Sequence, residues 1–239
     1  RRGGMTRAAI AQYEDLVDAD SSGTGELYDL VATLYHDIGE SDKALSWRTR
    51  LLAHQEQTVP GSTQVRIETL QEMVLLQEKT GAYDDALATL DQLAQMDLGN
   101  GYPYYSQMAD IAEKTSRPAI KRAALEGMAT VNPKDVESVA ALAELFLAED
   151  ELEEAEEWIE RGLVVMPADA YLQVLKGDIM SRKGLEEQAI TAFEIALDDP
   201  DWRGVAQQRI WHLRPPETEE EKLKRAFFGE TGSDASPPE

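Results

Sequence analysis

Apolar residues along most of this chain recur at three- and four-residue intervals, leaving polar residues on the opposite side. This spacing predicts amphipathic α-helices throughout and no strands. The helices fall into blocks. Pro133 and Pro167 lie 34 residues apart. The segment from Val136 to Asp169 carries Leu142, Ala143, Phe146, Ala155, Ile159 and Gly162 in order. The next segment, from Ala170, carries Gly177, Met180, Gly184, Ala189, Phe193 and Ala196, and closes at Pro200. The one before, from Tyr102, carries Met108, Ala109, Ala112, Leu125 and Met128. Small residues allow helix axes to approach, and large ones fill the space between neighbours. A unit of two such helices cannot bury its apolar face alone, so units stack in series.

Two earlier copies are looser. Gly81, Ala86, Leu90 and Leu93 mark one, and Gly39, Ala44 and Leu51 mark the other. In the latter, Arg48 stands where a large apolar residue is expected. About eight extra residues separate these two copies, around Pro60-Gly61-Ser62, and are read as a longer second helix and a turn. Gly39, Gly81 and Gly184 predict left-handed turn residues between the helices of a pair. In the copy from Tyr102, Thr115-Ser116-Arg117-Pro118 takes the place of that glycine turn. Lys121 there has to reach solvent or pair with an acid.

The order of small and large residues, with the closing prolines, resembles the tetratricopeptide repeat family. The stretch from Gly184 to Leu197 matches it best. The resemblance implies an all-α fold, a right-handed α-solenoid of antiparallel helix pairs. Its expected organisation is a partial N-terminal repeat, second helix only, over 1–24, then five repeats over 25–200. Capping helices follow over 201–228, and a disordered tail over 229–239. In the cap, Trp202, Trp211 and Phe227 are expected in the core, with Phe228 facing outward as a homodimer or partner contact. The opening within a repeat suggests a piece of a longer protein.

Function in this family means display of a surface for a protein or peptide, without catalysis. The resemblance places a peptide groove on the first helices, here at Glu68, Gln71, Asp110, Glu113, Glu137, Glu144, Tyr171, Asp178 and Arg182. Acids dominate these positions. The Lys, Asn and Arg set by which some members clamp a carboxylate is absent, so a partner of basic character suits the groove better. The whole chain is acidic as well, with 46 Asp and Glu against 23 Lys and Arg and a net charge of −23. The groove's acidity is therefore either a recognition device or a general property. The same charge disfavours nucleic acid and anionic membranes.

Other chemistry has few candidates. There is no cysteine, and the three histidines, His36, His54 and His212, are far apart. No nucleotide loop and no cofactor site is visible. Asp18, Asp20, Ser22, Glu26 and Asp29, around Gly23, resemble an EF-hand calcium loop. Gly25 and Asp29 depart from that pattern, and a plain inter-repeat turn explains the same residues. A calcium-stabilised scaffold and an accessory region of a larger enzyme thus stand as alternatives to the peptide-binding module. The chain lacks any apolar run of membrane-spanning length, which suggests a cytoplasmic location.

Overall fold

Helices form because the apolar spacing demands them, and the turns between them decide how they fold back. The computed structural model describes residues 2–19, 25–59 and 61–228. They form thirteen α-helices and no strand. In order these are α1 (Arg2–Ala19), α2 (Gly25–Asp37), α3 (Ser41–Thr58), α4 (Thr63–Thr80), α5 (Tyr83–Met96), α6 (Gly101–Lys114) and α7 (Pro118–Val131). There follow α8 (Val136–Ala148), α9 (Leu152–Val165), α10 (Ala170–Arg182), α11 (Glu186–Ala196), α12 (Arg203–Leu213) and α13 (Glu219–Phe228). The expected tail over 229–239 lies outside the described residues. No described helix is long and apolar enough to cross a membrane.

Five hairpins share one turn. Gly39, Gly81 and Gly184 adopt φ of 81°, 78° and 75°. The residue after each glycine donates its N–H to a carbonyl five positions back, as Ala82 does to Gln77 at 2.8 Å and Leu185 to Met180 at 2.9 Å. This closes the helix end and satisfies carbonyls that would otherwise lack a partner. Ser116 and Asp150 hold the same place at φ 55° and 62°. Arg117 and Glu151 behind them reach back to Ala112 and Phe146 in the same way. Pro118 then starts α7, where its missing N–H costs nothing.

The chain divides into two units, residues 1–138 and 139–239. In the first, each helix from α1 to α7 packs on the next. One core cluster joins Ile10, Val31, Tyr35, Ala44 and Trp47, and a second joins Leu70, Val74, Leu90, Leu93 and Ile111. In the second unit α9 packs on α10, α10 on α11 and α11 on α12. Its buried residues include Leu142, Ile159, Leu172, Ile179, Met180 and Phe193. Phe193 lies over Gly177, where a side chain would leave no room for the ring.

The cap differs from expectation. Trp202 is half-buried and stacks flat on Tyr171, with ring centroids 4.5 Å apart. Trp211 and Phe227 are 53% and 79% exposed and are not core. Only Ala206 of α12 is fully buried, so this helix offers too narrow an apolar stripe to draw Trp211 inward. The helix α13 is held at its start by a capping box. The Thr218 N–H donates to Glu221 at 2.8 Å, and the Glu221 N–H donates back to the Thr218 hydroxyl at 3.3 Å. The Phe228 side chain lies outside the described residues.

Candidate functional site

Several residues expected to line a groove are engaged with neighbouring helices. In the first unit, Gln71 on α4 donates to the Tyr104 hydroxyl on α6 at 2.9 Å. Glu113 pairs with Lys121 across its own hairpin, which is how that lysine escapes the apolar interior. Glu68, Asp110 and Glu137 are exposed and make no ion pair among the described residues. In the second unit, Glu144 accepts from the Tyr171 hydroxyl at 2.6 Å, and Asp178 accepts from Arg209 Nε at 2.8 Å. Arg182 donates to the Leu147 carbonyl at 2.7 Å. Burial, and then the hydrogen bond to Glu144, push the Tyr171 hydroxyl up to about 12. Apart from the Glu113–Lys121 pair, these contacts join one hairpin to the next, and they use polar side chains that sequence reasoning left for a ligand.

The residues read as a calcium loop are described only in part. Asp20 and Ser22 lie outside the described residues. Asp18 sits in the last turn of α1, and Glu26 opens α2. The Asp29 carboxylate is taken by the Arg48 guanidinium.

Arg48 is the centre of a constellation that sequence reasoning marked only as an irregularity. It lies on α3 and is 6% exposed. Its guanidinium pairs with Asp29 on α2 and Glu72 on α4, and donates to the Thr33 hydroxyl on α2 at 3.1 Å. One side chain thus ties three helices. Asp29 and Glu72 keep 55% and 50% of their side-chain exposure, so the cation is desolvated more than its partners. Beside it, the buried Gln55 and Thr69 exchange hydrogen bonds of 3.0 and 3.1 Å between α3 and α4.

A cavity of about 670 Å³ opens between these helices. Glu26 and Asp29 of α2, Leu51, His54 and Gln55 of α3, and Val65, Glu68 and Glu72 of α4 are among its walls. His54 is held edge-on to Tyr28, with ring centroids 5.5 Å apart. A smaller cavity of about 210 Å³ shares Arg48 and Glu72 and reaches Thr33, His36 and Leu75. The larger one exists because two helices are long. α3 and α4 each have 18 residues, against 14 in α5, α6, α7 and α9. The extra residues near Pro60 are therefore shared between both helices, not confined to the second helix and the turn. That surplus turn supplies Thr58, Val59 and Val65 to the walls.

The left-handed turn residues fall at 39, 81, 116, 150 and 184. After the first interval, which holds the insertion, they recur every 34 or 35 residues. The fold is a tetratricopeptide-like helical repeat. No protein-family model matches the chain, and no curated protein sequence matches it. Solved structures similar to it include YrrB, described as a TPR protein with an unusual peptide-binding site. That similarity has 16% identity and a TM-score of 0.45, and covers 82% of this chain and 96% of that one. A MamA protein is 17% identical with a TM-score of 0.42, covering 90% of this chain and 98% of that one. MamA from Desulfovibrio magneticus RS-1 is 17% identical with a TM-score of 0.40, covering 73% and 93%. The repeat assignment stands on the five turns and their spacing. Within this tetratricopeptide-like frame, Gln71, Glu144, Tyr171, Asp178 and Arg182 are used between hairpins, and the irregular first pair of hairpins leaves a cavity.

Proposed function

We propose that this chain is a non-enzymatic interaction scaffold that holds a protein or peptide segment of basic character against the first helices of its hairpins. The observation that carries this reading is the imbalance of pairing in the first unit. Three of its cations are consumed internally, Arg48 by Asp29 and Glu72, Arg117 by Asp84 and Lys121 by Glu113. Asp110 and Glu137 remain exposed on α6 and α8 without ion pairs among the described residues. A surface with surplus fixed carboxylates and a net charge of −23 behind it attracts basic segments and repels acidic ones. The interaction is expected to weaken with salt, because these groups are solvent-exposed.

The test is an array of twelve-residue peptides of graded charge, read with the parent and with an Asp110→Lys, Glu137→Lys variant. Both substituted sites are exposed, so thermal melts should coincide. Selective capture of basic peptides by the parent, lost in the variant, supports the reading. Equal capture by both proteins removes it.

A further inference from the structure

We propose that the cavity between α2, α3 and α4 is a receptor for one lysine or arginine side chain of an extended peptide. This rests on the reading of the chain as a peptide-binding scaffold and gives it a specific anchoring point. Three features of the cavity lead to that occupant.

The first is that its walls are fixed before anything binds. Arg48 bridges α2 and α4 from α3, and the Gln55–Thr69 pair joins α3 to α4 a turn or two further on. Binding there does not require the helices to be ordered first, which removes a cost that flexible sites carry. The second is the distribution of polarity. Leu51, Val59 and Val65 give an apolar surface, and Glu26 and Glu68 give carboxylates. Neither of these two acids makes an ion pair among the described residues, whereas Asp29 and Glu72 already serve Arg48. A long aliphatic stem ending in a cation meets both kinds of surface, since lysine and arginine bury their stems and keep the charge at the polar end. A carboxylate or phosphate would meet an excess of like charge, and Arg48 is already paired with Asp29 and Glu72.

The third feature is size. At about 670 Å³ the cavity lies within the roughly 300–1,000 Å³ range of sites that enclose a ligand. It exceeds what one side chain fills, so flanking peptide backbone fits beside the anchor. The irregularities of the sequence, the inserted turn and the arginine at an apolar position, both build this one place.

The test is calorimetric titration of the full chain with acetylated, amidated pentapeptides of alanine carrying arginine, lysine or norleucine at the centre. Norleucine keeps the stem and removes the charge. The arginine and lysine peptides are expected to saturate, and the norleucine peptide to bind about tenfold more weakly or worse. A Glu26→Gln, Glu68→Gln variant should melt like the parent and lose about tenfold in affinity for the arginine peptide. Equal binding of norleucine, no loss in this variant, or no binding of any peptide up to about 1 mM would overturn the proposal. The Asp110→Lys, Glu137→Lys variant is titrated in parallel. If it alone loses basic peptides, the cavity is not the anchor and the scaffold reading survives. If only the Glu26→Gln, Glu68→Gln variant loses them, the cavity stands and the role given to Asp110 and Glu137 fails.

Discussion

Placing a methyl group on Gly177 sets two effects against each other. Alanine in the interior of an exposed helix is favoured over glycine by roughly 1 kcal/mol. Gly177 is the eighth residue of the thirteen in α10, so on propensity alone Gly177→Ala would stabilise. The structure opposes this. A Cβ there would stand 2.3 Å from Phe193 Cε1 and 2.6 Å from both Cδ1 and Cζ. Ordinary contact is more than an ångström longer. The ring cannot swing clear, because Phe193 is 1% exposed and its own helix carries buried Ala189, Ile190 and Ala196 around it. Overpacking of this kind costs roughly 1–3 kcal/mol. A 2.3 Å approach puts the clash in the upper part of that range, about 2–3 kcal/mol, so the net expectation is a loss of about 1–2 kcal/mol. Gly204→Ala in α12 is the control, since nothing lies within 4 Å of a Cβ there. It should be neutral or stabilising by up to about 0.5 kcal/mol. Both sites lie in residues 139–239, so urea unfolding followed by circular dichroism compares them in the same unit. Phe193→Leu removes ring atoms, and in that background the penalty of Gly177→Ala should shrink, a coupling that a double-mutant cycle reads directly. A Gly177→Ala protein as stable as its parent, or a penalty unchanged by Phe193→Leu, would refute the account of this contact.

Further expectations concern the first unit, the turns and alkaline pH. Arg48→Met should change stability by no more than about 1 kcal/mol, because Asp29 and Glu72 stay half-exposed and no buried charge is stranded. Arg48→Ala, which empties a buried site, should cost about 2 kcal/mol or more in the same thermal melts. Gly81→Ala puts an L side chain at φ 78°. The left-handed cost of roughly 1–2 kcal/mol exceeds the roughly 0.4–1 kcal/mol gained from a stiffer unfolded chain, so denaturant midpoints should fall. Tyr35 and Tyr171 should ionise near pH 12 in an ultraviolet titration, against 10.0 for a free tyrosine. Burial is the main cause, followed by donation to Glu14 and Glu144. Because the folded values lie above the unfolded one, their contribution is complete below pH 10 and is lost as pH rises from 10 to 12. Tyr171→Phe should flatten the part of that loss that belongs to residues 139–239.

The repeat was legible because its determinants are local. Gly39, Gly81 and Gly184 occupy left-handed positions that only glycine adopts freely, and Pro118 sits where a helix start tolerates it. Ser116 and Asp150 hide the same turn, since nothing in a single serine or aspartate announces a positive φ. Their hairpins are recognised by the return hydrogen bonds of Arg117 and Glu151. The polar faces were less legible for a different reason. Gln71, Glu144, Asp178 and Arg182 are polar residues on outward faces in any helical projection. Whether they face a ligand or the next helix depends on partners such as Tyr104, Tyr171 and Arg209 that lie 27 to 33 residues away. The cap failed on the width of its apolar stripe. The helix α12 is as long as α11 but has one fully buried side chain against five there, so its aromatic residue has nothing to pack under.

Arg48 shows how an irregularity in a repeat can be read physically. In a regular array each position is filled to suit identical neighbours, so a buried guanidinium is the least suitable occupant for a slot between helices. It is tolerated only where polar partners surround it, and two carboxylates, a hydroxyl and the openness of the cavity meet that need. The inserted turn in α3 and α4 supplies the openness, and the arginine holds the longer helices at a fixed separation. Each departure would be unfavourable without the other. A cavity without the bridge would let the helices close on Leu51 and Val65, and the bridge without the cavity would bury its carboxylates as well as its cation. Two departures that compensate each other at one place mark that place as built, which is why the anchoring site is proposed there and not on the regular faces of the later hairpins.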